Sequence, residues 1–222
     1  MKTAWIMALA GVAGIANADV LISEVLGSTS SSDWEFIEIV NTGPAAVSLD
    51  GYSVELWDSD EGNVGGGDGA APYFISGGVT LNPGQVYTLG NSLAATGYAI
   101  TFDGDLPSNA IENSSYTIIL ADNGGVVSDA ILVVDGDVDD LDNANRAGAP
   151  IVPSMTAGPD GTFLPAGFAR TDLSGGHVIL NFDTADLNNG TLEGGTPGVN
   201  QIPAPAGLAV LGLGALAARR RR

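Results

Sequence analysis

The sequence predicts an all-β fold, and three observations carry that prediction. Short apolar runs alternate with clusters of Gly, Asn, Asp and Pro through most of the chain, the pattern of short strands joined by turns. No stretch holds an amphipathic helical period for three turns. Asp122-Asn123-Gly124-Gly125 lies between two strongly β-prone runs, and Asn and Gly accept the positive φ that a tight hairpin demands.

Taken in order, strands are expected at Val20 to Leu26, Trp34 to Val40, Tyr52 to Trp57, Pro72 to Ile75, Gln85 to Leu89, Tyr98 to Phe102, Tyr116 to Ala121, Val126 to Val134, Gly167 to Thr171 and Val178 to Phe182. In Glu35 to Asn41 strict alternation puts Ile37 and Ile39 on one face and Phe36, Glu38 and Val40 on the other, as a sheet with one packed face needs. Asn82-Pro83-Gly84 reads as a turn, because Pro presets φ at one position and Gly takes the next. Gly51 and Pro197-Gly198 mark strand ends in the same way. Tyr116 to Val134 is a hairpin around the Asp122 turn. Asp60 to Ala71 and Leu141 to Ala166 are poor in strand signal and rich in Gly, Asn or Pro, so they read as long surface loops. No internal repeat is visible.

Both ends read as targeting segments. Lys2 is followed by an apolar stretch, Ala4 to Ala16, and by Ala16-Asn17-Ala18, an A-x-A site that places signal cleavage after Ala18. At the other end Pro203-Ala204-Pro205 breaks regular structure, Ala206 to Ala218 carries no charge, and Arg219, Arg220, Arg221 and Arg222 resist translocation. A spanning helix needs about 20 apolar residues. The shorter Ala206 to Ala218 run suits transient holding at a membrane better than permanent anchoring. This tail resembles the PEP-CTERM sorting signal of Gram-negative bacteria, with Pro203-Ala204-Pro205 where that family has Pro-Glu-Pro. The resemblance implies an exosortase-like transpeptidase as processing partner and delivery to the cell surface or extracellular matrix. The chain thus divides into a signal peptide at 1–18, a sandwich-sized domain at 19–200 and a sorting segment at 201–222.

Between these signals only Arg146 and Arg170 are cationic, against 26 Asp plus Glu, a formal charge near −24. Such a surface repels nucleic acid and anionic lipid over a Debye length of about 10 Å. Neutral surfaces and cations remain as partners. Cysteine is absent, so there is neither a disulfide nor a thiolate nucleophile, and stability must come from a core.

Several segments together resemble the lamin tail domain, found in nuclear lamins and in many secreted bacterial proteins. They are Leu21-Ile22-Ser23-Glu24-Val25, Glu35-Phe36-Ile37-Glu38-Ile39-Val40-Asn41, Val47-Ser48-Leu49-Asp50-Gly51-Tyr52-Ser53-Val54, Leu81-Asn82-Pro83-Gly84-Gln85 and Thr196-Pro197-Gly198-Val199-Asn200. The resemblance implies an immunoglobulin-like β-sandwich, here with long acidic and Gly-rich loops such as Asp58 to Gly69.

Candidates for chemistry are few. Glu24 and Glu38 fall on consecutive strands, and two carboxylates about 5–9 Å apart would have glycosidase geometry; an ordinary sandwich would instead carry them as exposed or hydrogen-bonded edge residues. His177 is the only histidine, at the start of a strand, and no G-x-S-x-G elbow accompanies it. Asp135, Asp137, Asp139 and Asp142 begin like an EF-hand calcium loop, but Asp140 stands where the turn wants glycine and Arg146 where a bidentate glutamate belongs. They are the candidate calcium ligands, with Asp58-Ser59-Asp60-Glu61-Gly62-Asn63 a poorer second set. Trp34, Tyr52, Trp57, Tyr73 and Phe74 cluster in the first half and could form a core or a binding face; Trp57, beside the acidic loop, is the expected exposed one. The resulting expectation is a surface-sorted, non-catalytic structural or binding module whose partner is an envelope or matrix glycan or protein. The alternatives are an acidic-residue hydrolase of envelope polysaccharide and a calcium-dependent adhesin.

Overall fold

The computed structural model describes residues 20–27, 34–59, 72–111, 115–134, 143–159, 167–180 and 195–202. In chain order the strands are β1 (Val20–Leu26), β2 (Phe36–Asn41), β3 (Val47–Ser48), β4 (Ser53–Asp58), β5 (Tyr73–Phe74), β6 (Thr80–Leu81) and β7 (Val86–Gly90). A helix, α1 (Ser92–Tyr98), follows, and then β8 (Gly104–Asp105), β9 (Tyr116–Ala121), β10 (Val127–Val133), β11 (Asn145–Arg146), β12 (Ala149–Pro150), β13 (Met155–Ala157), β14 (Gly167–Arg170) and β15 (His177–Leu180).

The main strands form two layers. One sheet has the order β15-β14-β1-β2-β7-β8 and the other β13-β10-β9-β4-β5. The pairings are antiparallel except β7 with β8 and β10 with β13. Between the layers Ile22, Val25, Ile37 and Ile39 of the first sheet meet Val54, Leu56, Ile118, Leu120, Ile131 and Val133 of the second. Each such side chain stabilises by about 1.5–3 kcal/mol on burial, which is how a chain without cysteine holds its fold. The β9–β10 hairpin turns at Asp122, whose carboxylate accepts from the Gly124 and Val126 amides at 2.8 Å each while Gly125 takes φ 75°. At the start of β14 the backbones approach so closely that a Cβ on Gly167 would collide with the Val25 carbonyl.

The structure departs from the sequence reading in four places. Tyr98 to Phe102 is not a strand. Asn91 caps α1 by accepting from the Ala94 amide at 2.7 Å, Ala94 is buried, and Ala99 closes the helix in the left-handed region. Two turns are too few to leave a periodic signature, so the β-prone Tyr98, Ile100 and Phe102 dominate the local pattern. Leu141 to Ala166 is likewise more than a loop: it carries β11, β12 and β13, and β13 joins the second sheet alongside β10 with Met155 and Ala157 buried. Pro153 and Pro159 bracket that strand and cut its local signal short.

Third, β2 is packed on both faces. Its alternation is as expected, with Ile37 and Ile39 inward, but all six residues are buried. Phe36 and Leu26 pack with Leu180, Trp34, Tyr98 and Phe102 at one end of the outer face, and Val40 and Leu21 with Ile202, Val86 and Leu173 at the other. Phe36 meets Tyr98 edge-on at 5.2 Å between ring centroids. Fourth, Glu24 and Glu38 are not at a sheet edge; β1 and β2 are central strands.

The layers are joined by a buried ion pair. Asp129 on β10 accepts from the Ile22 amide at 2.8 Å and from Arg170 Nη2 at 3.1 Å, and Arg170 Nε donates to the Ile22 carbonyl at 2.8 Å. Ser154 donates to Asp129 and accepts from Arg170 at 2.6 Å. Ile22 adjoins a register shift in β1, and Asp129 adjoins one in β10, so the pair bonds backbone at the point where regular pairing lapses. Removing one partner of such a pair leaves the other charged and buried, at a cost of about 3–5 kcal/mol. We therefore expect Arg170→Ala to lower the urea midpoint of the full chain far more than Arg146→Ala, whose side chain is partly exposed in its pair with Glu55. Equal losses would contradict the assignment.

Candidate functional site

The outer face of the first sheet brings together the two carboxylates that the sequence singles out. Glu24 and Glu38 stand directly opposite each other in the β1–β2 register, and each is only 1% exposed. They lie between the two apolar clusters of that face, and the segment 195–202 crosses above them. Gly195 lies against Tyr98 and Phe36, Pro197 is buried, and Ile202 enters the cluster of Leu21 and Val40.

Both carboxylates are occupied by hydrogen bonds to this strap or to β1. The Thr196 amide donates to Glu24 Oε1 at 2.7 Å and the Thr196 hydroxyl to Oε2 at 3.1 Å. The Gly198 amide donates to Glu38 Oε2 at 2.8 Å and the Ser23 hydroxyl to Oε1 at 2.7 Å. Burial pushes the Glu24 carboxyl up to about 7, with the facing Glu38 adding to it and the Thr196 bonds opposing it. Burial raises Glu38 as well, against the Ser23 and Gly198 bonds. Register alone could have suggested that the two glutamates pair. That Thr196 and Gly198 are their donors could not be read from a sequence separation of 172 and 160 residues.

The remaining expected sites fall out differently. Ala18, Pro203, Pro205, Arg219, Arg220, Arg221 and Arg222 lie outside the described residues, as do Asp135, Asp137, Asp139 and Asp142 and most of the Asp58 to Gly69 loop. Among the described residues no group of three or more His, Asp or Glu could hold a metal ion. No described helix is long and apolar enough to cross a membrane. His177 starts β15 as expected, half-buried, its Nδ1 2.9 Å from the Gly175 carbonyl and its ring edge-on to Phe168. Arg146 and Arg170 are both engaged internally: Arg146 grips Glu55 through Nε at 2.8 Å and Nη2 at 2.5 Å.

Trp57 is not the exposed aromatic. Its Nε1 donates to Glu55 at 3.2 Å and its ring packs on Ile119, Ala121 and Ala130. The exposed one is Phe74, at 70%, on the two-residue edge strand β5. Beside β5 lies a cleft of about 300 Å³ lined by Leu56, Tyr73, Tyr116, Asp58, Ser108 and Asn109. Asp58 and the aromatics are visible in the sequence, but Ser108 and Asn109 reach them only through the fold.

The buried carboxylates make stability depend on pH in an uncommon direction. Between the ordinary carboxylate value of 4.5 and about 7 the folded chain keeps a proton on Glu24 that the unfolded chain has lost. Stability is therefore fully present below that window and falls as pH rises through it, by about 3 kcal/mol. We expect the urea midpoint of the full chain to rise on going from about pH 8 to about pH 5 at constant ionic strength, and Glu24→Gln to remove most of that rise. A midpoint that falls on acidification over the same interval would refute it.

Residues 14–134 match the model of the Lamin Tail Domain, more than half of the 222-residue chain. No curated protein matches the chain. The matched span ends after β10, so β13, β14, β15 and the strap complete the two sheets and the outer face from beyond it. With its paired sheets, and with Leu21 to Val25 and Glu35 to Asn41 side by side at the centre of one of them, the chain belongs to the lamin tail domain family.

Proposed function

We propose that this chain is an exported, surface-sorted and non-catalytic binding or structural module of the bacterial envelope or extracellular matrix. The observation that carries the non-catalytic part is the engagement of Glu24 and Glu38. A glycosidase acid must reach a glycosidic oxygen and its partner must reach the sugar ring or a water. These carboxylates are beneath the 195–202 strap, with each of their four oxygens hydrogen-bonded within the fold. An immunoglobulin-like sandwich fits such a module, although fold alone does not fix function.

Export is supported by the ends of the sequence: Lys2 with Ala16-Asn17-Ala18 at one end, and Pro203-Ala204-Pro205, the uncharged run and Arg219 to Arg222 at the other. The tail would be held in the membrane briefly and handed to an exosortase-like transpeptidase. The acidic composition supports neutral partners over nucleic acid, in keeping with an envelope or matrix glycan or protein.

Intact mass of the protein recovered from its native host, together with cell fractionation, tests this reading. The expected product starts at Asp19, has lost the segment after about Pro205 and is found at the surface or in the matrix. A product that retains Arg219 to Arg222, or one confined to the cytoplasm, would overturn the sorting proposal.

A further inference from the structure

Concave surface opens along the aromatic edge of the second sheet. Strand β5 is the end of that sheet, and clefts open on both sides of it. The first, about 300 Å³, has the buried Leu56 and Tyr116 at its base, the half-buried Tyr73 as its wall, Asp58 half-buried beside it and Asn109 exposed at its rim. The second, about 490 Å³, shares Tyr73, adds the exposed Phe74 above the buried Tyr87, and is rimmed by Ser76, Asp103 and Asp105. A third, about 380 Å³, continues past Phe74 toward Asn123. Tyr73 and Phe74 thus divide a row of concavities along one edge.

The lining selects the ligand. A pyranose ring offers an apolar C–H face, which packs on an aromatic face, and hydroxyl groups, which donate to a carboxylate and exchange hydrogen bonds with an amide. The Tyr73 wall and the exposed Phe74 ring, with carboxylate, amide and hydroxyl groups at the rims, match both halves of that pattern. An acidic sugar would meet the Asp103 and Asp105 carboxylates in the second cleft, and Arg146, the arginine that lines the third, is already paired with Glu55. A row of clefts sharing their aromatic partitions fits a chain of repeating rings better than a single one.

We propose that the β5 edge binds a neutral polysaccharide, with one ring in the cleft between Tyr73 and Asn109 and the next stacked over Phe74. This rests on the reading of the chain as a binding module and adds its site and ligand class. Asp58 and Asn109 orient the first ring through its hydroxyls, and Phe74 supplies an exposed platform.

The test is calorimetric titration of the full chain with cellohexaose, maltohexaose and xylohexaose, with an alginate hexamer and hexalysine as charged comparisons. At least one neutral hexamer should bind saturably, with an affinity unchanged by added salt. Phe74→Ala and Asn109→Ala should each weaken it about tenfold or more, and Phe74→Ala should leave the melting temperature unchanged because that side chain is exposed. No saturable neutral hexamer, tighter binding of the alginate hexamer, or parent-like affinity in either variant would overturn the site, whereas hexalysine binding that salt abolishes reports only the acidic surface. Mass and fractionation report on sorting independently, so a correctly sorted chain that binds none of these sugars overturns this inference and leaves the module reading standing.

Discussion

The two layers of this sandwich depend on one polar contact made where both regular ladders lapse. Ile22 next to the irregularity in β1 has a backbone amide and carbonyl to satisfy inside the protein, and Asp129 and Arg170 take one each. An unsatisfied buried amide or carbonyl costs about 1–3 kcal/mol, and an unpaired buried charge costs more. Asp129 and Arg170 answer both demands at once, since each charge is balanced by the other and each also bonds backbone. The contact reaches from β10 through β1 to β14, so it fixes the two sheets relative to each other at a point that apolar packing alone leaves free to slide. Ser154, just before β13, bonds both members and draws the chain leading into that strand to the same junction.

A second polar arrangement, on the outer face, is of the opposite kind. There two carboxyl groups face each other, and the fold tolerates them by lending hydrogen bonds from a segment distant in sequence. The strap is not held by the carboxylates alone: Gly195 lies against Tyr98 and Phe36 before them, and Ile202 enters the cluster of Leu21 and Val40 after them. Its hydrogen bonds to Glu24 and Glu38 fall between those two contacts, which gives a short run without regular secondary structure a defined course over β1 and β2. The same geometry explains why β2 is buried on both faces although its pattern reads as one-sided. A glutamate between a phenylalanine and a valine looks like a solvent face in the sequence, and becomes an interior one only when another segment of the chain covers it.

Legibility followed the range of the interaction. The long strands around Ile22, Ile37, Ile118 and Ile131 and the Asp122 turn are local statements, written in β-branched runs and in residues that accept positive φ. The pairing of Glu24 with Glu38 also followed from adjacency of two strands in sequence. What could not be read was set by tertiary contact. Strand β13 exists because β10 offers an edge beside it, helix α1 because Asn91 caps a two-turn segment whose aromatic residue packs on Phe36, and the Glu24 donors come from the far end of the domain. Trp57 and Phe74 show the same division. Both are aromatic residues in strands, and the presence of Ile119 and Ala121 under one ring separates a half-buried side chain, Trp57, from an exposed one, Phe74.

Charge economy links the interior to the surface. Outside the two end segments the chain has only Arg146 and Arg170 as permanently cationic side chains, and both are committed to carboxylates within the fold. Each cation therefore neutralises an acid that burial would otherwise penalise, Glu55 in one case and Asp129 in the other. The exposed acids are left with no fixed counter-charge among the described residues, so long-range attraction of an anionic partner has no source on this domain. Recognition of a neutral partner must then come from short-range terms, contact with aromatic faces and directional hydrogen bonds. In the described part of the chain those two terms occur together along β5, where the sheet ends and Tyr73 and Phe74 are left without a neighbouring strand to cover them.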